Sequence, residues 1–160
     1  MEPRPLWAPW RIEYVKAPPD QACPICKAAE ASDDAEALVV ARRERCFAML
    51  NAFPYSPGHA MVCPYRHVEG LDQIDDSEAL ELVHLTRDCV AAMRGAFSAD
   101  GVNVGINLGR TAGAGVAGHL HQHVVPRWEG DTNFMPVVAG TRVMSEALAA
   151  ARETLAGALG

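Results

Sequence analysis

The chain is expected to fold as an antiparallel α+β domain, and three features of the sequence carry that expectation. Short apolar runs at 38–41, 46–50, 59–64, 102–108 and 119–126, each bounded by Gly, Pro or charged residues, make about five strands. One long segment, Asp75 to Phe97, repeats its apolar positions at intervals of three and four, as a helix lying on a sheet does. The strands follow one another without regular alternation with helices, which argues against a doubly wound parallel sheet.

Residues 1–20 read as an extended arm. Pro3, Pro5 and Pro9 exclude a regular helix there, while Leu6, Trp7, Trp10 and Tyr14 need burial, on the domain or on a second subunit. Residues 21–160 form one domain. It opens with Cys23-Pro24-Ile25-Cys26, which reads as a tight turn, and continues through 28–37 as a helix-prone or looped acidic surface. The segment from Asn51 to Gly58 is a loop between the second and third strands, because its prolines and glycine suit neither helix nor strand. Asp75, with Glu78 three positions on, makes a capping box that starts the main helix, and Leu82, Leu85, Cys89, Met93 and Ala96 form its inner stripe. Asp100-Gly101 ends it. The run from Gly109 to Gly118 is too rich in glycine for regular structure, and a C-terminal helix covers 142–155.

Composition narrows the function classes. Of 160 residues, 49% are apolar and 21% charged, the balance of a globular domain large enough to need no disulfide scaffold. A formal charge of -6 argues against a nucleic-acid partner bound by broad electrostatics, yet leaves room for a local anion site built from N–H groups and a few Arg. Five cysteines, an odd number with two of them in a CPIC pair, do not make a secreted disulfide framework. With prolines and charges at the start and no apolar run of about 18 to 20 residues, the expectation is a cytoplasmic protein with no membrane partner.

The strongest chemical signal is His119-Leu120-His121-Gln122-His123-Val124-Val125. On a strand, histidines at i, i+2 and i+4 share one face with roughly 6.5 to 7 Å between neighbours. Imidazoles so placed can divide nucleophilic attack, proton donation and metal binding among themselves. The second signal is the Cys23/Cys26 pair, which by itself fits metal binding, redox chemistry or burial. Gly113 and Gly115 could bring backbone N–H groups close to a phosphate, but no Gly-Lys-Ser/Thr follows, so a P-loop is excluded. Trp128, just beyond the triad strand, suits base stacking, a subunit contact or core packing. His59 reads as a packed or hydrogen-bonded residue at a strand start. Cys46, Cys63 and Cys89 read as small hydrophobes.

The HLHQHVV segment resembles the signature of the histidine triad family of nucleotide hydrolases and transferases. Asn51 with PYSPGHAMVCPYRHVEGL, and the GINLG strand, resemble the family's upstream elements. LWAPWR and HVVPRWEGDTNFMPV resemble a branch that includes diadenosine tetraphosphate phosphorylases. The resemblance implies that His121 is a nucleophile forming a covalent nucleotidyl-histidine, its other ring nitrogen donating to a nearby main-chain carbonyl, and that His123 contacts phosphate or the leaving group. It places Asn51 near the ribose and Asn107 facing the phosphates, where a turn or strand-end hydrogen bond is the alternative for each. His67 and His119 match the histidines that zinc-bearing relatives add to a CxxC pair, so Cys23, Cys26, His67 and His119 would hold one structural Zn2+. Gln122 stands where the family has an apolar residue, facing away from the site. Gly115-Val116-Ala117-Gly118 stands where many members carry a Ser or Thr, leaving main-chain groups or Arg110 and Thr111 to supply phosphate contacts.

The resemblance thus implies a homodimer, with a nucleotide as substrate and nucleotidyl transfer from a dinucleoside polyphosphate as the reaction. Phosphorolysis of diadenosine tetraphosphate to ADP and ATP leads. Hydrolysis, adenosine phosphoramidate cleavage and a nucleotide-binding sensor or scaffold are the alternatives.

Overall fold

The computed structural model describes residues 22–131 and 147–160. The expected arm over 1–20 and the first residues of the expected C-terminal helix, 142–146, lie outside the described residues. A single sheet organises what is described. Strands β1 (Val39–Arg42), β2 (Cys46–Leu50), β3 (Ala60–Pro64), β4 (Gly101–Ile106) and β5 (Gln122–Arg127) pair antiparallel throughout, in the order β1-β2-β3-β5-β4. Helices α1 (Pro24–Glu30), α2 (Asp76–Ala96) and α3 (Leu148–Leu159) complete the α+β fold.

The two faces of the sheet are covered differently. On one, Val40, Ala48, Leu50, Ala60, Val62 and Val124 meet Leu82, Leu85, Cys89 and Met93 of α2 and Ala151 and Leu155 of α3. On the other, Val39, Phe47, Met49, Met61 and Cys63 lie beneath Ile25 and Ala28 of α1. Cover on both sides explains why β2 and β3 are buried at every position and show no polar alternation. Helix α1 packs on β1, β2 and β3, and among the described residues no helix covers the second face at His123, Gly105 and Asn103.

The start of α2 is built as the sequence implies: the Asp75 carboxylate accepts from the Glu78 N–H at 2.8 Å, and Glu78 accepts from the Asp75 N–H at 3.0 Å. Three expectations are corrected. Cys23-Pro24-Ile25-Cys26 is no isolated turn but the opening of α1, with Cys23 as N-cap and Pro24 in the first turn, where its fixed φ favours helix. The i, i+3 spacing then puts both thiols on one side of the helix. Arg42 closes the other end, donating to the carbonyls of Ala28, Ala29 and Ala31 at 3.0, 2.8 and 3.2 Å. Helix α3 runs past Leu155 to Leu159 because the buried series Ala151, Leu155, Leu159 continues. Strand β5 starts at Gln122 and not at His119. The β4 ladder ends at the Ile106–Gln122 pair, and the Leu120 N–H turns to the Val68 carbonyl at 2.6 Å. His119 and His121 therefore precede the strand, and the three histidines do not form one strand face.

Gln122 points toward α2, as alternation requires. Its amide donates to the Thr86 hydroxyl at 2.6 Å, which donates in turn to the Leu82 carbonyl at 2.7 Å. Among the described residues no helix is long and apolar enough to cross a membrane.

Candidate functional site

The irregular approach to β5 sends its histidines to different tasks. His119 is turned toward α1 and lies 1% exposed. Its Nδ1 stands 3.4 Å from both Cys23 Sγ and Cys26 Sγ, and His67 Nδ1 stands 3.2 Å from Cys26 Sγ. The four ligand atoms of Cys23, Cys26, His67 and His119 lie within 4.8 Å of one another. Tetrahedral zinc with two thiolates and two imidazoles needs S···N separations of about 3.5 Å. The donor set also fits in its protonation. His119 Nε2 donates to the Pro64 carbonyl at 2.9 Å, which leaves Nδ1 deprotonated and aimed at the sulfurs. Burial holds the His119 ring below the usual imidazole range, hence neutral, and burial with the neighbouring Cys23 pushes the Cys26 thiol up to about 11. At neutral pH this thiol keeps its proton until a cation displaces it.

His121, 4% exposed, donates from Nδ1 to the His119 carbonyl at 2.7 Å. The neutral ring then carries its lone pair on Nε2, the form of a nucleophile. His123 stands beside it, with ring centroids 5.0 Å apart and planes at 80°. A chain of bonds sets the His123 tautomer. The Tyr55 N–H donates to His59 Nδ1 at 3.0 Å, so neutral His59 has its proton on Nε2 and gives it to His123 Nδ1 at 2.9 Å. Neutral His123 consequently has its own proton on Nε2, where it can be donated. Sequence reasoning read His59 as packed or hydrogen-bonded at a strand start, which it is, but missed its bond to His123. No local signal marks that bond: only the β3–β5 pairing brings the start of β3 beside the triad strand.

Other anticipated residues divide into two groups. Asn107 is half-buried, its amide 4.0 Å from where a Cβ on Gly113 would stand, so those two positions come together next to the triad approach. Gly113 has φ +91°, which a side chain would strain. Gly115 is exposed in the same loop. Asn51 caps its own loop: its carbonyl Oδ1 accepts from the Phe53 N–H at 2.9 Å, the turn bond weighed as the alternative. Trp128 is not brought to the triad. Its indole N–H donates to the Phe97 carbonyl at 3.0 Å and its ring packs on the core, at the end of β5 away from His121. Opposite His123 on β4 stands Gly105, whose missing side chain opens the face there.

With this geometry in place, the comparisons with known proteins are specific. The family model described as HIT domain matches residues 32–130. A Mycobacterium tuberculosis protein named AP-4-A phosphorylase is 41% identical over 94% of this chain and 82% of its own length. The crystal structure of a Zn-bound histidine triad family protein from Mycobacterium smegmatis superposes with a TM-score of 0.70 at 25% identity, covering 86% of this chain and 93% of that one. A hypothetical histidine triad nucleotide-binding protein from Sulfolobus tokodaii gives 0.68 at 28% identity, covering 86% and 91%.

Proposed function

This chain belongs to the histidine triad (HIT) family, and from that premise we propose that it is an enzyme of dinucleoside polyphosphates, transferring a nucleotidyl group through His121 to phosphate. The observation that carries the reading is the bond from His121 Nδ1 to the His119 carbonyl, which presents Nε2 as the attacking atom. With diadenosine tetraphosphate, Nε2 forms a bond to an α-phosphorus as the bridging P–O bond breaks. ATP leaves, its oxygen taking the proton from His123 Nε2. Hydrogen phosphate then attacks the adenylyl group from the side opposite His121 and returns a proton to His123 Nε2; the P–N bond breaks, its electrons restore the lone pair on His121 Nε2, and ADP leaves. Asn107, with the backbone around Gly113 and Gly115 and the Arg110 guanidinium, lines the phosphates, and the loop that begins at Asn51 borders the ribose.

Cys23, Cys26, His67 and His119 are read as the holders of one zinc. A closed Cys2His2 set supplies no open position for water, so the metal would pin α1 and the triad approach without entering the reaction. Two copies are read as pairing through α2 and edge strand β4, where Leu80, Val83 and Val104 are 58%, 59% and 48% exposed.

The test is product analysis of diadenosine tetraphosphate turnover at saturating phosphate. ADP and ATP in equal amounts support phosphorolysis. AMP and ATP at a phosphate-independent rate would make water the acceptor and the enzyme a hydrolase.

A further inference from the structure

One strong polar contact lies outside the machinery above. Glu78 is 4% exposed, and its carboxylate receives the Arg66 guanidinium in a two-pronged pair, Nε to Oε1 at 2.7 Å and Nη2 to Oε2 at 2.6 Å. The same Oε2 closes the capping box of α2 on the Asp75 N–H, and Arg66 Nη2 also donates to the Gln73 carbonyl at 2.8 Å. Arg66 thereby ties the segment between β3 and α2 to the rigid first turn of a 21-residue helix.

The end of β3 and that segment together touch the triad approach at three places. The Pro64 carbonyl accepts from His119 Nε2 at 2.9 Å. The His67 ring meets the His119 ring edge-on at 5.1 Å. The Val68 carbonyl accepts from the Leu120 N–H at 2.6 Å. Arg66 lies in the middle of this stretch. The peptide it steadies, through Val68, is the one joining His119 to Leu120, and its carbonyl, that of His119, holds the Nδ1 proton of the nucleophile. A shift of the segment would move that carbonyl and turn the His121 ring, and reaction rates fall steeply when an attacking atom is displaced by about 1 Å.

We infer that Arg66, acting through Glu78, is a positioning residue for His121: it anchors the 64–68 segment against which the triad approach is registered. The inference rests on the reading of His121 as nucleophile and of His67 as a metal ligand, so the test includes one measurement independent of both. Arg66→Met removes the fork. Arg66→Lys keeps the charge but lacks the planar geometry, and so should restore little. Glu78→Gln retains an oxygen for the Asp75 N–H, keeping the helix cap while weakening the pair.

Imidazole proton spectra of the protein as purified, without substrate, read exchange of the His121 Nδ1 proton. In Arg66→Met and Glu78→Gln that proton is expected to exchange at least about tenfold faster. Turnover of diadenosine tetraphosphate should lose about tenfold in kcat with KM within about twofold. Cobalt affinity, measured by chelator competition, should fall about tenfold to a hundredfold. Leu159→Ala, at a distant buried site on α3, serves as a control brought to the same fraction of its melting temperature, and should leave all three readouts in place. Proton exchange and kcat both within about twofold of wild type in the two variants would overturn the inference, as would an equal kcat loss in Leu159→Ala. Wild-type protein that binds no cobalt would overturn the metal reading alone, because the proton exchange still judges Arg66.

Discussion

The chemistry of single side chains here is decided by who donates to whom. The His119 carbonyl takes the Nδ1 proton of His121, and His59 sends its Nε2 proton to His123. His121→Ala should abolish turnover while leaving nucleotide affinity within about tenfold, because the attacking atom acts in the chemical step; equilibrium binding beside single-turnover rates would show it. Gln122 and Thr86 offer a second residue-scale prediction. Thr86→Val leaves the half-buried Gln122 amide without its acceptor and should cost about 1–3 kcal/mol in denaturant unfolding, while adding Gln122→Leu should return much of that loss. That Gln122 faces away from the triad was legible from its place in the resembling motif. The His59–His123 bond was not, since it joins residues 64 positions apart and only the strand register brings them together. Trp128 shows the opposite limit: proximity in sequence to the triad says little about proximity in space, because each strand residue advances the chain by about 3.3 Å.

Among elements, the long helix was read nearly to the residue, because its 21 residues show both periodicity and a capping box. Helix α1, with 7 residues, is too short to show a period, and its prolyl start looked like a turn. Its helical form depends on Arg42 at one end and on the cluster with His67 and His119 at the other. Purified protein should therefore hold about one zinc per chain by metal analysis, and Cys23→Ser should lose it together with thermal stability. A pH prediction belongs to the start of α2. The Arg66 guanidinium beside Glu78 holds its carboxyl below the ordinary value of 4.5. A depressed carboxylate contributes stability that is fully present above its unfolded value and is lost as pH falls through the folded one. Wild-type stability should thus decline on acidification below about pH 4.5, and Glu78→Gln should flatten that limb in denaturant titrations run between pH 2 and 7.

At the scale of the whole molecule, the sequence conveyed an antiparallel sheet with one long helix, but not how unequally the described helices cover its two faces. That inequality depends on where α1 and α3 land, and hydrophobic periodicity within an element says nothing about it. The exposed apolar side chains of α2 and β4 are expected to meet a second copy. Light scattering should give twice the chain mass at micromolar concentration, and Val83→Asp should shift the protein toward monomer by placing a charge in an apolar contact. The unequal cover also has a consequence for how the molecule fails. A helix of 7 residues is no autonomous structure, and it is the only described helix over Val39, Phe47, Met49, Met61 and Cys63. If its anchors are lost it should detach as a local unfolding unit, well before the sheet melts against α2 and α3. What it uncovers is β-rich, uncharged and already aligned in strands, the surface on which chains adhere to one another. Metal starvation would then deplete this protein by aggregation while most of its fold is still intact.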